Sequence, residues 1–378
     1  MRNAFSTIIS SNYLPQALTL HKSFSKIYPG SRLFILIIDI EKPVIEQESD
    51  ISFLVPEDLH IDPVFLVNMR NFYDLVELAT SLKPFLLKFL LSEGFDTATY
   101  LDPDIQIFGK LDEGIAASLK FGVALTPHRL TPQTPSIQDP GDLEFLRYGV
   151  FNLGYITVSR LGDQFLEWWA SRLIYFSTRY PRSAVFTDQK WIDLTPAYFA
   201  YGKISNPGYN VAPWNLSERN LLKSKNQYFV DTSPLVFFHF SQISGSLSRG
   251  GLPKIWEARL SRIDQSNHSR AALNSILKEY TQDLKEFNSE RIIGAKFVLL
   301  SDPFSLNSYF VRKNRIASIL NNPNLSRYRM MYRRFSSVLN NYGSKKGFLR
   351  YATKFDTING LREGFSSDLK RFQNRFRV

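Results

Sequence analysis

The sequence predicts an α/β fold with a mostly parallel, Rossmann-like sheet, followed by a helical, basic C-terminal region. Short β-rich runs alternate with helical stretches over the first hundred residues, in the order β-α-β-β-α-β. The longest of those runs is continuously apolar rather than alternating, as strands buried on both faces are. Charge is segregated as well. Phe310 to Val378 carries 16 Lys and Arg against 3 Asp and Glu, while the whole chain sums to +11. The body is therefore close to neutral, and the tail is a distinct surface facing an anionic partner.

Taken in order, Phe5-Ser-Thr-Ile-Ile-Ser10 reads as the first strand. A helix is expected from Leu14 to Ile27, stopped by the breaker pair Pro29-Gly30. Arg32 to Asp39, with its core Leu33-Phe-Ile-Leu-Ile-Ile38, is a buried strand of parallel type; Ile51 to Val55 is another, closed by Pro56. Asp74 to Leu82 and Pro84 to Ser92 have helical character, and Thr97 to Leu101 is a strand ended by Asp102-Pro103-Asp104. Pro127, Pro132, Pro135 and Pro140 crowd the stretch Thr126 to Gly141, which reads as a surface loop over the site. Phe151 to Val158 resumes the sheet, and a helix follows with Phe165, Trp168 and Trp169, aromatics expected in the core. Asp188 to Leu194 and the apolar run Leu235 to Phe240 complete the body. We place the domain boundary at 1–260 and 261–378.

The 44% hydrophobic and 14% aromatic content excludes a disordered chain. With no cysteine, disulfides and thiolate metal sites are excluded too. The first residues lack the layout of a secretion signal, and no apolar run reaches the roughly 18–20 residues that span a bilayer. A cytoplasmic protein is expected, peripheral at the inner face of the membrane if the tail binds lipid.

The sharpest local signal is Tyr100-Leu-Asp-Pro-Asp-Ile105. Two carboxylates spaced i, i+2 after an apolar strand reach the open edge of a sheet, where ligands of such folds bind. There they could share a divalent cation with two phosphates, since Mg²⁺ and Mn²⁺ take carboxylates plus phosphate oxygens. An ordinary Asp-Pro turn would look the same in isolation.

Further motifs follow in a consistent order: Ser11-Asn-Tyr-Leu14, Leu82-Lys-Pro-Phe85, Phe151-Asn-Leu-Gly-Tyr155, Thr187-Asp-Gln-Lys-Trp191, Tyr209-Asn-Val-Ala-Pro-Trp-Asn215 and Phe238-His-Phe-Ser241. With the acidic motif they resemble the GT-A glycosyltransferases, in particular the retaining family-eight type that includes glycogenin-like and bacterial galactosyltransferases. The resemblance spans about two-thirds of the chain. It implies a hexosyltransferase-type enzyme that moves a sugar from a nucleotide-diphosphate donor to a saccharide or lipid-linked acceptor, with a manganese or magnesium cofactor. It further implies that Asp102, Asp104 and His239 hold the metal, that Tyr13 stacks on the base, and that Thr7, Ser10, Lys83, Asp102, Asn152 and Gly154 line the nucleotide-sugar site. Asp188 would bind sugar hydroxyls, and Gln189 would face the anomeric carbon with its amide carbonyl. Asp188 equally suits an N-cap of the helix running to Leu194, and His239 equally suits a core position.

Two departures from the family bear on the donor. The resemblance implies a UDP-sugar first, but Ser10 stands where an acidic residue often meets the base, so GDP and dTDP donors stay open. The stretch after His239 is altered to Ser241-Gln-Ile-Ser-Gly245, leaving Arg249 or Lys254 to supply a phosphate contact.

A nucleotidyltransferase of sugar phosphates shares the layout, but it wants a Gly-rich loop after the first strand, and Ser10-Ser-Asn-Tyr-Leu-Pro15 has no glycine. A nucleic-acid-binding protein would suit the tail, but no such motif accompanies it and we expect no nucleic acid. In the tail itself, Phe365, Leu369, Phe372 and Phe376 fall on one helical stripe flanked by Lys370, Arg371, Arg375 and Arg377. That pattern suits either an anionic membrane surface or docking on the protein's own body.

Overall fold

In the computed structural model the chain divides into two compact units, Met1–Leu299 and Leu300–Val378. The structure describes residues 1–40, 50–135, 141–179, 185–243, 256–257, 260 and 267–287. The second unit, with the aromatic stripe at 365–376, lies outside the described residues, as do Arg249 and Lys254 and the 136–140 part of the proline-rich stretch.

The first unit is built on a seven-stranded sheet. Strands β1 (Asn3–Ile9), β2 (Leu33–Ile37), β3 (Ile51–Leu54) and β4 (Thr97–Leu101) run parallel in the spatial order β3-β2-β1-β4. The sheet then continues through β7 (Phe151–Ser159) and β6 (Val123–Pro127) to the two-residue β8 (Gly202–Lys203). Strand β7 is antiparallel to both β4 and β6. All residues of β4, β6 and β7 are buried, as their near-continuous apolar and small-residue composition demands. Beside the main sheet, β5 (Ile105–Ile107) pairs with β12 (Phe237–His239), and β9 (Leu221–Ser224), β10 (Gln227–Val230) and β11 (Ser233–Pro234) form a small sheet of their own.

Helix α1 occupies Leu14–Ile27 and lays Ala17, Leu20 and Phe24 on the sheet, an i, i+3, i+7 face. Its apolar partners Phe5, Ile9, Leu33, Ile35 and Ile37 come from β1 and β2. Helix α2 (Pro63–Phe72) is not visible in the hydrophobic pattern. Val64 and Val67 point to solvent, so no clean stripe forms, and the helix is begun by Asp62 accepting from the Val64 N–H and by Pro63. Helix α3 (Leu75–Ser81) starts on a capping box between Asp74 and Glu77, and α4 (Lys83–Ser92) follows almost at once. Helices α5 (Asp112–Phe121), α6 (Asp142–Tyr148), α7 (Asp163–Phe176) and α8 (Thr195–Tyr198) complete the layers; Phe165 and Trp169 of α7 are in the core as expected, while Trp168 is only partly buried.

The last described helix, α9 (Asn267–Glu286), shares the body's core. Leu273, Ile276, Leu277, Tyr280 and Leu284 pack on Val211, Phe238, Phe240 and Trp256, at the three- and four-residue spacing of one helical face. No described helix is long and apolar enough to cross a membrane.

Candidate active site

Strand β4 ends at Leu101, and the chain turns through Asp102-Pro103-Asp104 before β5 begins. The Ile105 N–H donates to the Asp102 carbonyl (3.1 Å) and the Asp102 N–H donates to the Gly154 carbonyl (2.8 Å), so the turn is held from both sides. His239 reaches the same point by β-pairing: β12 runs antiparallel to β5 with His239 opposite Ile105, and the Phe240 N–H donates to the Asp104 carbonyl (2.8 Å). His239 Nε2 lies 3.1 Å from Asp104 Oδ1 and 3.6 Å from Asp102 Oδ2. One ligand atom from each of Asp102, Asp104 and His239 falls within 4.8 Å of the others, the arrangement that could hold a metal ion.

Oxygen from two carboxylates and nitrogen from one imidazole suit Mn²⁺ well and Mg²⁺ less well. The opposite ring nitrogen, Nδ1, is 3.3 Å from Asn152 Oδ1. An amide oxygen accepts, so Nδ1 donates its proton to Asn152, and Nε2 is the nitrogen turned to the carboxylates, protonated against them or free to ligate a cation in its place. Burial alone would lower the His239 pKa, but Asp104 and then Asp102 outweigh it and raise the value. The field at this point favours positive charge. Gly154 makes room for the ring: a Cβ there would collide with His239 Cε1 and come within 2.9 Å of Asn152 Oδ1.

A second charged group adjoins the first. Lys83, 4% exposed at the start of α4, sends its ammonium to Asp188 Oδ2 (3.1 Å), Asp102 Oδ1 (3.5 Å) and the Leu153 carbonyl (2.8 Å), above the ring of Tyr100. Burial would lower its pKa, yet Asp102 and Asp188 raise it, so the lysine is cationic. Asp188 is only 2% exposed; burial raises its pKa and Lys83 opposes that rise. The N-cap alternative for Asp188 is not what the structure adopts, because its side chain makes no cap hydrogen bond to the helical turn Gln189–Leu194.

Gln189 is held at both ends of its amide. Its Nε2 donates to the Tyr148 carbonyl (2.9 Å), while its Oε1 accepts from the Leu153 N–H (3.1 Å) and Asn152 Nδ2 (3.5 Å). The carbonyl expected to face a sugar is thus oriented by the same 152–154 segment that supports His239. Ser10 precedes and Tyr13 closes the short helical turn Ser11–Tyr13 before α1, where the Ser10 hydroxyl donates to Asn12 Oδ1 (2.6 Å). Tyr13 is 39% exposed, and burial, then Asp104 and Asp102, raise its pKa. Thr7 presents no surface: it is enclosed in β1 opposite Ile35, and its hydroxyl has no partner among the described residues.

The structure adds residues that the motifs did not single out for a role. Asp39, just beyond β2, accepts from both the backbone N–H and the hydroxyl of Ser11 (2.8 Å each), so a carboxylate stands beside the turn where the first strand offers Ser10. Tyr100 donates its hydroxyl to Asp102 Oδ1 (2.7 Å). Trp214 sets its ring edge-on to His239, with centroids 5.2 Å apart. Glu218 ties down the start of the proline-rich stretch, accepting from the Leu130 and Thr131 N–H groups (2.9 Å each). None of these four lies within a few residues of the partner it supports except Tyr100, and for that residue a strand tyrosine reads as core.

No family model matches the chain. It is 26% identical over 254 residues to the uncharacterized protein YfnF of Bacillus subtilis (strain 168), covering 64% of this chain and 82% of that protein. Among solved structures it resembles the galactosyltransferase LgtC in complex with donor and acceptor sugar analogs (14% identity, 71% of this chain, 99% of that one, TM-score 0.42). It also resembles the glycosyltransferase GlyE of Streptococcus pneumoniae TIGR4 (14% identity, 74% of this chain, 64% of that one, TM-score 0.40).

Proposed function

We propose that this chain is a metal-dependent GT-A glycosyltransferase that moves a hexose from a nucleoside-diphosphate sugar, UDP-linked first and GDP- or dTDP-linked otherwise, to a glycan or lipid-linked acceptor. The observation that carries the reading is the meeting of Asp102, Asp104 and His239 from two distant parts of the chain at the carboxyl end of a parallel strand. The sequence motifs that resemble the retaining family-eight enzymes support it, because their residues gather around that point.

Asp102, Asp104 and His239 would hold the divalent ion. The chemistry it supplies when bound is charge neutralisation on the departing diphosphate. The chain's own residues do the rest. Lys83, cationic and itself nearly closed to water, would add fixed positive charge where the leaving phosphate gains negative charge. Asp188, anchored by that ammonium, would accept from sugar hydroxyls and orient the donor. Tyr13, with Ser10 just past the first strand, would meet the nucleoside, whereas Thr7, enclosed in β1, would not reach it. Gln189, Asn152 and Gly154 would face the sugar. An amide is a poor nucleophile, so Gln189 serves as a dipole beside the anomeric carbon. The bond from that carbon to the diphosphate oxygen breaks, a bond to the acceptor oxygen forms, and the acceptor's proton leaves with the diphosphate or to water. Retention of configuration rests on the family resemblance. In this reading the catalytic domain takes in α9 as well as residues 1–260, and the basic region expected beyond it would work at the cytoplasmic face of an anionic membrane.

The test is a screen of UDP-, GDP- and dTDP-sugars for release of the nucleoside diphosphate, with and without Mn²⁺. Asp102→Asn and Asp104→Asn should each lower turnover by roughly a thousandfold or more while leaving the fold intact. Full activity of both variants in EDTA would sink the proposal.

A further inference from the structure

Helix α9 brings to the metal-ligand turn a side chain that none of the motifs contains. Tyr280 is fully buried, and its ring stacks face to face on Phe240, with centroids 3.8 Å apart and planes 4° from parallel. Phe240 is the residue whose N–H donates to the Asp104 carbonyl. Three residues on, along the same face of α9, Asp283 Oδ2 accepts from Gln106 Nε2 at 3.3 Å, and Gln106 is two residues past Asp104. The helix is thus pinned on both sides of Asp104. Yet the Tyr280 hydroxyl has no hydrogen-bond partner among the described residues. A buried phenol is normally paired, and an unpaired one destabilises the fold unless something else uses it. Burial pushes the Tyr280 phenol well above its ordinary pKa, and the Asp104 carboxylate adds to that rise.

We propose that Tyr280 is a positioning residue for Asp104: its hydroxyl is the donor held for that carboxylate when the Asp102–Asp104–His239 set takes up a divalent cation. The inference rests on the metal reading above and adds to it a member from outside the motif-bearing region. Metal-binding carboxylates are commonly oriented by such outer hydrogen bonds, and loss of one typically weakens metal affinity by about 10- to 100-fold. A hydroxyl kept for the loaded site stabilises the protein only when metal is present; a purely structural one would do so in both states.

The experiment uses the full chain, native and Tyr280→Phe, which keeps the ring and its stack. Mn²⁺ binding is followed by the electron paramagnetic resonance of the free ion, and thermal unfolding is recorded with and without Mn²⁺. We expect the variant to melt at or above the native temperature without metal, to bind Mn²⁺ about tenfold more weakly, and to gain less from Mn²⁺ on heating. An affinity within twofold of native overturns the proposal, as does an equal loss of stability in both states. If the native chain itself binds no Mn²⁺ in the presence of UDP, the metal reading fails and this inference with it. If it binds and the variant binds equally well, only the role of Tyr280 falls.

Discussion

Lys22 of α1 and Lys83 of α4 each bridge two carboxylates, one pair of contacts in water and the other out of it. Lys22 reaches Asp283 at 2.9 Å and Glu286 at 2.6 Å, with its side chain 29% exposed and Glu286 55% exposed. Lys83 reaches Asp188 at 3.1 Å and Asp102 at 3.5 Å, with exposures of 4% and 2% for Lys83 and Asp188. The shorter contacts are the weaker ones. At the surface, solvent screens the attraction and two long side chains must be ordered, so such pairs contribute little. In the interior, ionising either partner alone is costly, and each becomes indispensable to the other. The surface pair fastens α9; the buried pair stores charge next to the proposed diphosphate position.

The comparison breaks most sharply at Lys83. Lys83→Met should cost about 3–5 kcal/mol in urea unfolding, because Asp188 is left buried without its counter-charge, and transfer activity should vanish with it. Adding Asp188→Leu to Lys83→Met should restore much of the stability and none of the activity. A single variant as stable as the native chain would show that the pair is better hydrated than its burial indicates.

Gly154→Ala probes the same region without touching a charge. The added methyl would press on the His239 ring and on Asn152 Oδ1. A cost of roughly 1–3 kcal/mol is expected from overpacking, and Mn²⁺ affinity, measured by titration calorimetry, should fall because the imidazole is pushed off the carboxylates. Native metal affinity in this variant would detach His239 from the site.

The smallest effect is expected at the surface. Lys22→Ala should destabilise the chain by at most about 1 kcal/mol, and the difference should shrink as salt is raised. A loss as large as that of Lys83→Met would mean that α9 is held mainly by this corner rather than by the apolar face of Leu273, Ile276, Tyr280 and Leu284.

Local information accounts for much of the fold. Helix α1 runs from Leu14 to Ile27 and strand β4 from Thr97 to Leu101, as read from apolar spacing and from the breakers Pro29-Gly30 and Pro103. The parallel strands were legible for the same reason: segments buried on both faces must be apolar throughout. The Asp102-Pro103-Asp104 turn is local as well, since two residues spaced i, i+2 at a strand end need nothing distant to stand at the sheet's edge. Helix α2 escaped because its Val64 and Val67 break the amphipathic stripe, and its cap and proline decide the start without one. His239 is a different case. In the chain it is one histidine in an apolar strand, equally at home in a core. Its meeting with Asp102 and Asp104 depends on the register of β12 against β5, and a slip of one residue would turn the ring to the other face. Lys83 meets Asp188 and Asp102, and Tyr280 meets Phe240, likewise only when α4, the 187–189 turn and α9 are packed. Spacing along the chain specifies which faces are apolar; which side chains share a low-dielectric space, and so which charges must pair, depends on how those faces close on one another.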